Sequence, residues 1–99
     1  MDDDDPDGTP PLEIPLTDSI DLHTFRPQDV RSVVLEYLTE ARSRGFRHVR
    51  IIHGRGIGVQ REIVRSLLTE IPWVASYRDA DPSGGGWGAT LVFFAPVAD

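Results

Sequence analysis

Cysteine and lysine are both absent from this chain of 99 residues. Without cysteine there can be no disulfide, no thiol nucleophile and no cysteine-ligated zinc or iron–sulfur centre. Without lysine, all ten basic residues are arginine. Two accounts remain open for that bias: arginine-rich codon usage, or a use for guanidinium forks, which grip phosphate in bidentate fashion. Long apolar runs are missing too. No stretch approaches the roughly 20 residues of a membrane span, and no charged-then-apolar signal peptide opens the chain. The expected setting is therefore cytoplasmic, with no membrane partner. A hydrophobic content of 39% with 26% charged residues is ordinary for one small soluble domain.

The formal net charge of −6 is unevenly spread. Residues 1–29 carry nine acids and one arginine, residues 30–78 nine arginines against four glutamates, and residues 79–99 three acids. An acidic protein thus contains a basic central segment. Residues 1–11 are acidic, proline-bearing and poor in apolar side chains, which reads as a disordered tail that keeps the protein soluble or discourages non-specific nucleic-acid binding. Residues 12–99 form the domain. Leu12 to Leu16 alternates like an edge segment, and Pro15 excludes it from a central strand.

Ser19 to His23 reads as a strand. Arg26-Pro27-Gln28-Asp29 starts a helix with proline in its first turn. Val30, Val33, Val34, Tyr37, Leu38 and Ala41 then recur on one helical face up to Ser43, and Gly45 ends the helix. His48 to Ile52 is the next strand. Val59 to Glu70 forms a second helix with Val59, Ile63, Val64, Leu67, Leu68 and Ile71 inward, stopped by Pro72. Val74 to Arg78 and Ala89 to Ala95 supply the last two strands. The order β-α-β-α-β-β predicts an α/β two-layer sandwich, a four-stranded mixed sheet with both helices on one face.

Chemistry-bearing residues gather at the strand ends. His53-Gly54-Arg55-Gly56-Ile57-Gly58 lies where a strand hands over to a helix; glycines there let backbone N–H groups approach an anion beside the helix's positive end. Asp21-Leu22-His23 closes the first strand, with His23 thirty residues before His53, about one strand–helix–strand unit. If those strands are parallel neighbours, both histidines leave the same sheet edge, where open α/β sheets bind ligands. A third run, Gly85-Gly86-Trp87-Gly88-Ala89-Thr90, precedes the last strand. It serves either as a tight turn or as an opening for phosphate, and Trp87 either stacks on an unpaired base or covers the rim of the core.

These three motifs, in this order, resemble those of the Smr (small MutS-related) domain family over roughly residues 16 to 95. The resemblance implies a two-layer α/β sandwich like the C-terminal domain of bacterial translation initiation factor three. It also implies binding of DNA or RNA, with DNA-nicking or RNA endonuclease activity in several members, some of them acting on stalled ribosomes. Asp21 and His23 match the positions tied to cleavage. His53, Gly54, Gly56 and Gly58 match the second motif, and Arg61 a frequent basic position in the helix that follows. Thr24 stands where the family commonly has glycine, and Arg55 where it commonly has lysine.

Three functions fit these residues. The first is an endonuclease, without cofactor or metal, in which Asp21, His23 and His53 are catalytic. One histidine accepts a proton from the attacking hydroxyl, the other protonates the leaving oxygen, and Asp21 orients an imidazole. Gly54, Arg55, Gly56, Gly58, Arg61, Gly85, Gly86, Trp87 and Gly88 then bind nucleic acid. The second makes Asp21, His23 and His53 ligands of a divalent ion, a poor set without a second carboxylate. The third is a nucleic-acid or ribosome-binding module without chemistry, whose affinity falls with salt. His48 is expected to be exposed on its strand. Arg42, Arg44, Arg47 and Arg50 form either a backbone-contacting patch or a solvated face. The chain is expected to act as a monomer or weak dimer.

Overall fold

The computed structural model describes residues 17–54, 58–81 and 86–96. The expectations for residues 1–16, for Arg55, Gly56 and Gly85, and for the Trp87 side chain lie outside the described residues. The elements follow the order β1 (Ser19–Asp21), α1 (Pro27–Ser43), β2 (His48–Ile52), α2 (Val59–Leu68), β3 (Val74–Asp79), a 3-10 turn (Gly86–Gly88) and β4 (Ala89–Phe94). The four strands form one sheet in the order β1-β2-β4-β3. β1 and β2 are parallel, with Asp21 opposite Ile52, whereas β4 runs antiparallel to both β2 and β3.

Helix placement follows from this order. The crossovers β1-α1-β2 and β2-α2-β3 both join parallel strands and both step across the sheet in the same direction. Right-handed connections then place both helices on one face. The buried side chains agree: Val30, Val34, Leu38 and Ala41 of α1, Val64, Leu67 and Leu68 of α2, and Ile20, Val49, Ile51 and Val92 of the sheet join one cluster. Tyr37 ties α1 to the approach of β1 by donating its hydroxyl to the Thr17 carbonyl at 2.5 Å. Burial, reinforced by Asp18, pushes the phenol up to about 12.

Helix α1 starts and stops as its residues dictate. Pro27 occupies the first turn, where its missing N–H goes unused, and Gly45 adopts φ +89° just past the end. Other boundaries differ from the sequence pattern. β1 ends at Asp21 rather than His23, because Leu22 to Phe25 closes into a turn in which Phe25 N–H donates to the Leu22 carbonyl at 3.0 Å. α2 ends at Leu68, and Thr69 and Glu70 form a turn. β4 ends at Phe94, although the Ala95 N–H still bonds the Trp73 carbonyl one step further along the β3–β4 pairing at 2.9 Å. Val59, expected inward, is 43% exposed, since it opens α2 at the rim of the sheet.

Among the described residues no helix is long and apolar enough to cross a membrane. The face of the sheet opposite the helices carries the alternate residues of each strand, including Asp21, His48, Arg50, Ile52, Leu91 and Phe93.

Candidate active site

The parallel pairing of β1 and β2 brings the first two motifs to one sheet edge. Leu22 N–H continues the ladder beyond Asp21 by donating to the Ile52 carbonyl at 2.8 Å. His23 and His53 therefore follow adjacent strand ends, as the spacing of the motifs implied. The two rings nevertheless sit in different surroundings.

His23 projects into solvent, its side chain 76% exposed, inside the turn from Leu22 to Phe25. Asp21 Oδ1 receives two bonds from it: the backbone N–H at 3.0 Å and ring Nδ1 at 2.9 Å. Those bonds hold the Asp21 carboxyl below the usual carboxylate range, the backbone N–H contributing most. An ionised carboxylate only accepts, so Nδ1 carries a hydrogen, and in the neutral ring the lone pair is on Nε2, turned away from Asp21. The side-chain amide of Gln60, in the first turn of α2, pins this turn by donating to the carbonyls of Leu22 (3.3 Å) and Phe25 (3.0 Å).

His53 is 8% exposed and lies on the helix side of the sheet. Nε2 is 2.8 Å from Thr90 Oγ1, and Nδ1 is 3.1 Å from the Gly54 carbonyl. Burial lowers its pKa below 6.5 more than any other influence; Arg61 and Arg65 press the same way, against the Gly54 carbonyl and Asp79. The ring is therefore neutral and its tautomer is fixed. A carbonyl can only accept, so Nδ1–H donates to Gly54 and Nε2 accepts the Thr90 hydroxyl hydrogen.

The second and third motifs are sewn together at this point. The Gly88 carbonyl accepts the backbone N–H groups of both His53 (3.0 Å) and Gly54 (2.8 Å). The strand carrying Thr90 is thus fastened to the glycine loop through backbone and side chain alike. Gly54 (φ +83°) and Gly58 (φ +86°) both adopt the left-handed region, and Gly58 caps α2. Beside them lies a cleft of about 320 Å³ lined by Pro27, His53, Gly54, Gly58, Val59, Gln60 and Arg61. The first turns of both helices open onto this cleft, which suits an anion.

Arg61 borders the cleft and shares Asp79 with Arg65: Arg61 Nη2 is 2.9 Å from Asp79 Oδ1, and Arg65 bonds the same oxygen. The Arg61 hydrogen bond is the largest influence holding the Asp79 carboxyl below its ordinary range. Three residues of this site were missed in the sequence: Thr90, Gln60 and Asp79. Thr90 carried a signal, since it closes the third glycine motif. Gln60 and Asp79 carried none, because their roles depend on contacts made across the fold.

The chain is similar to known proteins in sequence and in fold. The family model described as Smr domain matches residues 20–95. The protein named Endonuclease MutS2 from Caldicellulosiruptor saccharolyticus is 40% identical over 74 residues, which are 75% of this chain and 9% of that protein. Its namesake from Thermus thermophilus is 34% identical over 91 residues, 90% of this chain and 12% of that protein. The chain thus spans only a small part of these relatives. Among solved structures, the Smr domain of Thermus thermophilus MutS2 superposes with a TM-score of 0.76 at 34% identity, covering 81% of this chain and 100% of that one. YdaL, a stand-alone small MutS-related protein from Escherichia coli, has the same TM-score at 32% identity, covering 80% of this chain and 65% of that one.

Proposed function

The chain belongs to the Smr domain family, and from that premise we propose that it binds nucleic acid and cleaves a phosphodiester bond at the shared edge of β1 and β2. The observation that carries this reading is the Asp21–His23 pair: a solvent-facing imidazole whose Nδ1–H is held by a carboxylate, leaving Nε2 to act as a base. The relatives named as endonucleases favour a nuclease over a carrier of small anions.

In this mechanism His23 Nε2 removes the proton from the attacking hydroxyl, either of water or of a ribose. The hydroxyl oxygen bonds to phosphorus, the bond to the leaving oxygen breaks, and that oxygen takes up a proton from solvent. Asp21 stabilises the imidazolium that forms. Gly54, Gly56 and Gly58 put no side chain between the phosphate and this loop, and Arg55 and Arg61 add positive charge. Gly85, Gly86, Trp87 and Gly88 border the same substrate from the β4 side.

His53 contributes by position. Its Nδ1–H and Nε2 are both committed within the protein, so proton transfer from this ring requires it to leave Gly54 or Thr90. Its task is to hold the start of the loop against Thr90. Labelled single-stranded RNA, single-stranded DNA and supercoiled plasmid, each incubated with purified protein with and without EDTA, test the proposal. Cutting of at least one substrate that survives EDTA is expected. Salt-sensitive binding with no cutting of any substrate would instead establish a binding module without chemistry.

A further inference from the structure

The sheet face opposite the helices holds described side chains that neither the core nor the candidate active site uses. Ile52, Leu91 and Phe93 are half-buried apolar residues outside the core cluster. His48 on β2 stands opposite Phe93 on β4, and their rings lie 5.9 Å apart at 35°. On the other flank of Phe93, the Arg78 guanidinium sits 5.6 Å from the ring centre while keeping a long contact to Asp81 at 3.8 Å. Arg50 occupies the next row, paired with Ser19 on one side and Leu91 on the other. One row further, Ile52 pairs with Asp21, whose carboxylate holds His23. Both helices lie on the opposite face.

We propose that this face is a stacking platform for single-stranded nucleic acid, leading an unpaired strand to the Asp21–His23 pair. Three features select this occupant. Aromatic rings on a sheet face offer flat surfaces to bases of any sequence. Arg50 and Arg78 supply charge of the sign that a phosphodiester backbone requires, on a chain whose net charge is negative. The rows also run without interruption from Phe93 through Arg50 to Asp21. Two residues along a strand advance about 7 Å, so the His48–Phe93 pair lies roughly 14 Å from the Asp21 row. A few nucleotides span that distance. A duplex keeps its bases stacked on one another and cannot use the platform.

The inference rests on the proposed nuclease reading for where the strand leads, but it can be tested separately. In a His23→Ala background, which leaves the oligonucleotide intact, fluorescence anisotropy is measured with labelled oligouridylate, oligothymidylate and a duplex of equal length. Phe93→Leu, which keeps an apolar side chain on the sheet, and His48→Ala, at an exposed position, should each weaken single-strand binding roughly tenfold, the order expected for one lost base stack. Phe93→Tyr should retain binding. The loss should appear with RNA and DNA alike, and duplex binding should be unchanged. His48→Ala keeps the test decisive if Phe93→Leu folds poorly.

Single-strand binding equal to that of the parent in both variants would overturn the platform. So would duplex binding as tight as single-strand binding, or a dimer in sedimentation that Phe93→Leu dissolves. A wild-type protein that cuts nothing, combined with loss of binding in these variants, would overturn the nuclease reading and leave the platform standing.

Discussion

His53 shows how one buried ring can serve a loop. Thr90→Val keeps the shape of the side chain but removes the hydroxyl that satisfies Nε2 at 2.8 Å. Leaving a buried acceptor unsatisfied costs about 1–3 kcal/mol, so urea unfolding of Thr90→Val should show a loss of that size, with Thr90→Ser much closer to wild type. If the Gly54 to Gly58 loop is positioned through this bond, Thr90→Val also slows cleavage although Thr90 touches no substrate. The lowered pKa of His53 sets a pH dependence as well. Above pH 6.5 the ring is neutral folded and unfolded, and its contribution is constant. As pH falls below 6.5 the unfolded chain takes up a proton that the folded ring resists, so stability declines until the folded pKa is passed. Urea midpoints between pH 8 and about pH 5 should trace this decline, and His53→Gln should flatten its share of the slope. Asp21 and Asp79 act in a separate window. Both are depressed below 3.8, so the stability they add is present above that value and is lost as pH falls through the folded pKa.

Helix α2 depends on the conformation of the residue before it. Gly58 caps it at φ +86°, and a Cβ added there would meet nothing within 4 Å. Any cost of Gly58→Ala is therefore conformational, about 1–2 kcal/mol, and thermal unfolding should show it, with Gly58→Asn milder because asparagine tolerates this region. A sterically blocked site would instead penalise asparagine more. Elements bounded by such local devices were legible in the sequence. α1 runs from Pro27 to Ser43 because proline and glycine mark its ends, and β2 occupies His48–Ile52 as its apolar residues suggested. Elements ended by distant or competing bonds were not. The last two residues expected in β1 are drawn into a turn secured by Asp21 and Gln60, and the tip of α2 is drawn into a turn by bonds from Glu70 to Leu67 and from Ile71 to Leu68 that hydrophobic spacing does not encode.

The molecule joins its motifs at one end of a sheet, and how they meet was legible only in part. Motif order and spacing placed Asp21, His23 and His53 at neighbouring strand ends. They did not reveal that the two rings part company, because His53 answers to Thr90, 37 residues further along the chain, while His23 answers to Asp21 beside it. Charge acts over the same dimension. Replacing Asp2, Asp3, Asp4, Asp5 and Asp7 with asparagine removes five charges from a total of −6 and leaves −1. Nucleic-acid affinity should rise at low salt, and the gap between variant and wild type should close as salt screens the field over about 8 Å at physiological ionic strength. A gap that persists at high salt would contradict a purely electrostatic role for these residues. The central claim is that His23, held by Asp21, is the base for phosphodiester cleavage. Its most direct test is the single-turnover cleavage rate of His23→Ala beside wild type, on a substrate the wild type cuts in EDTA. A loss of roughly 10²- to 10⁴-fold, with binding and melting temperature unchanged, is the predicted result; a variant that cuts at the wild-type rate would contradict it.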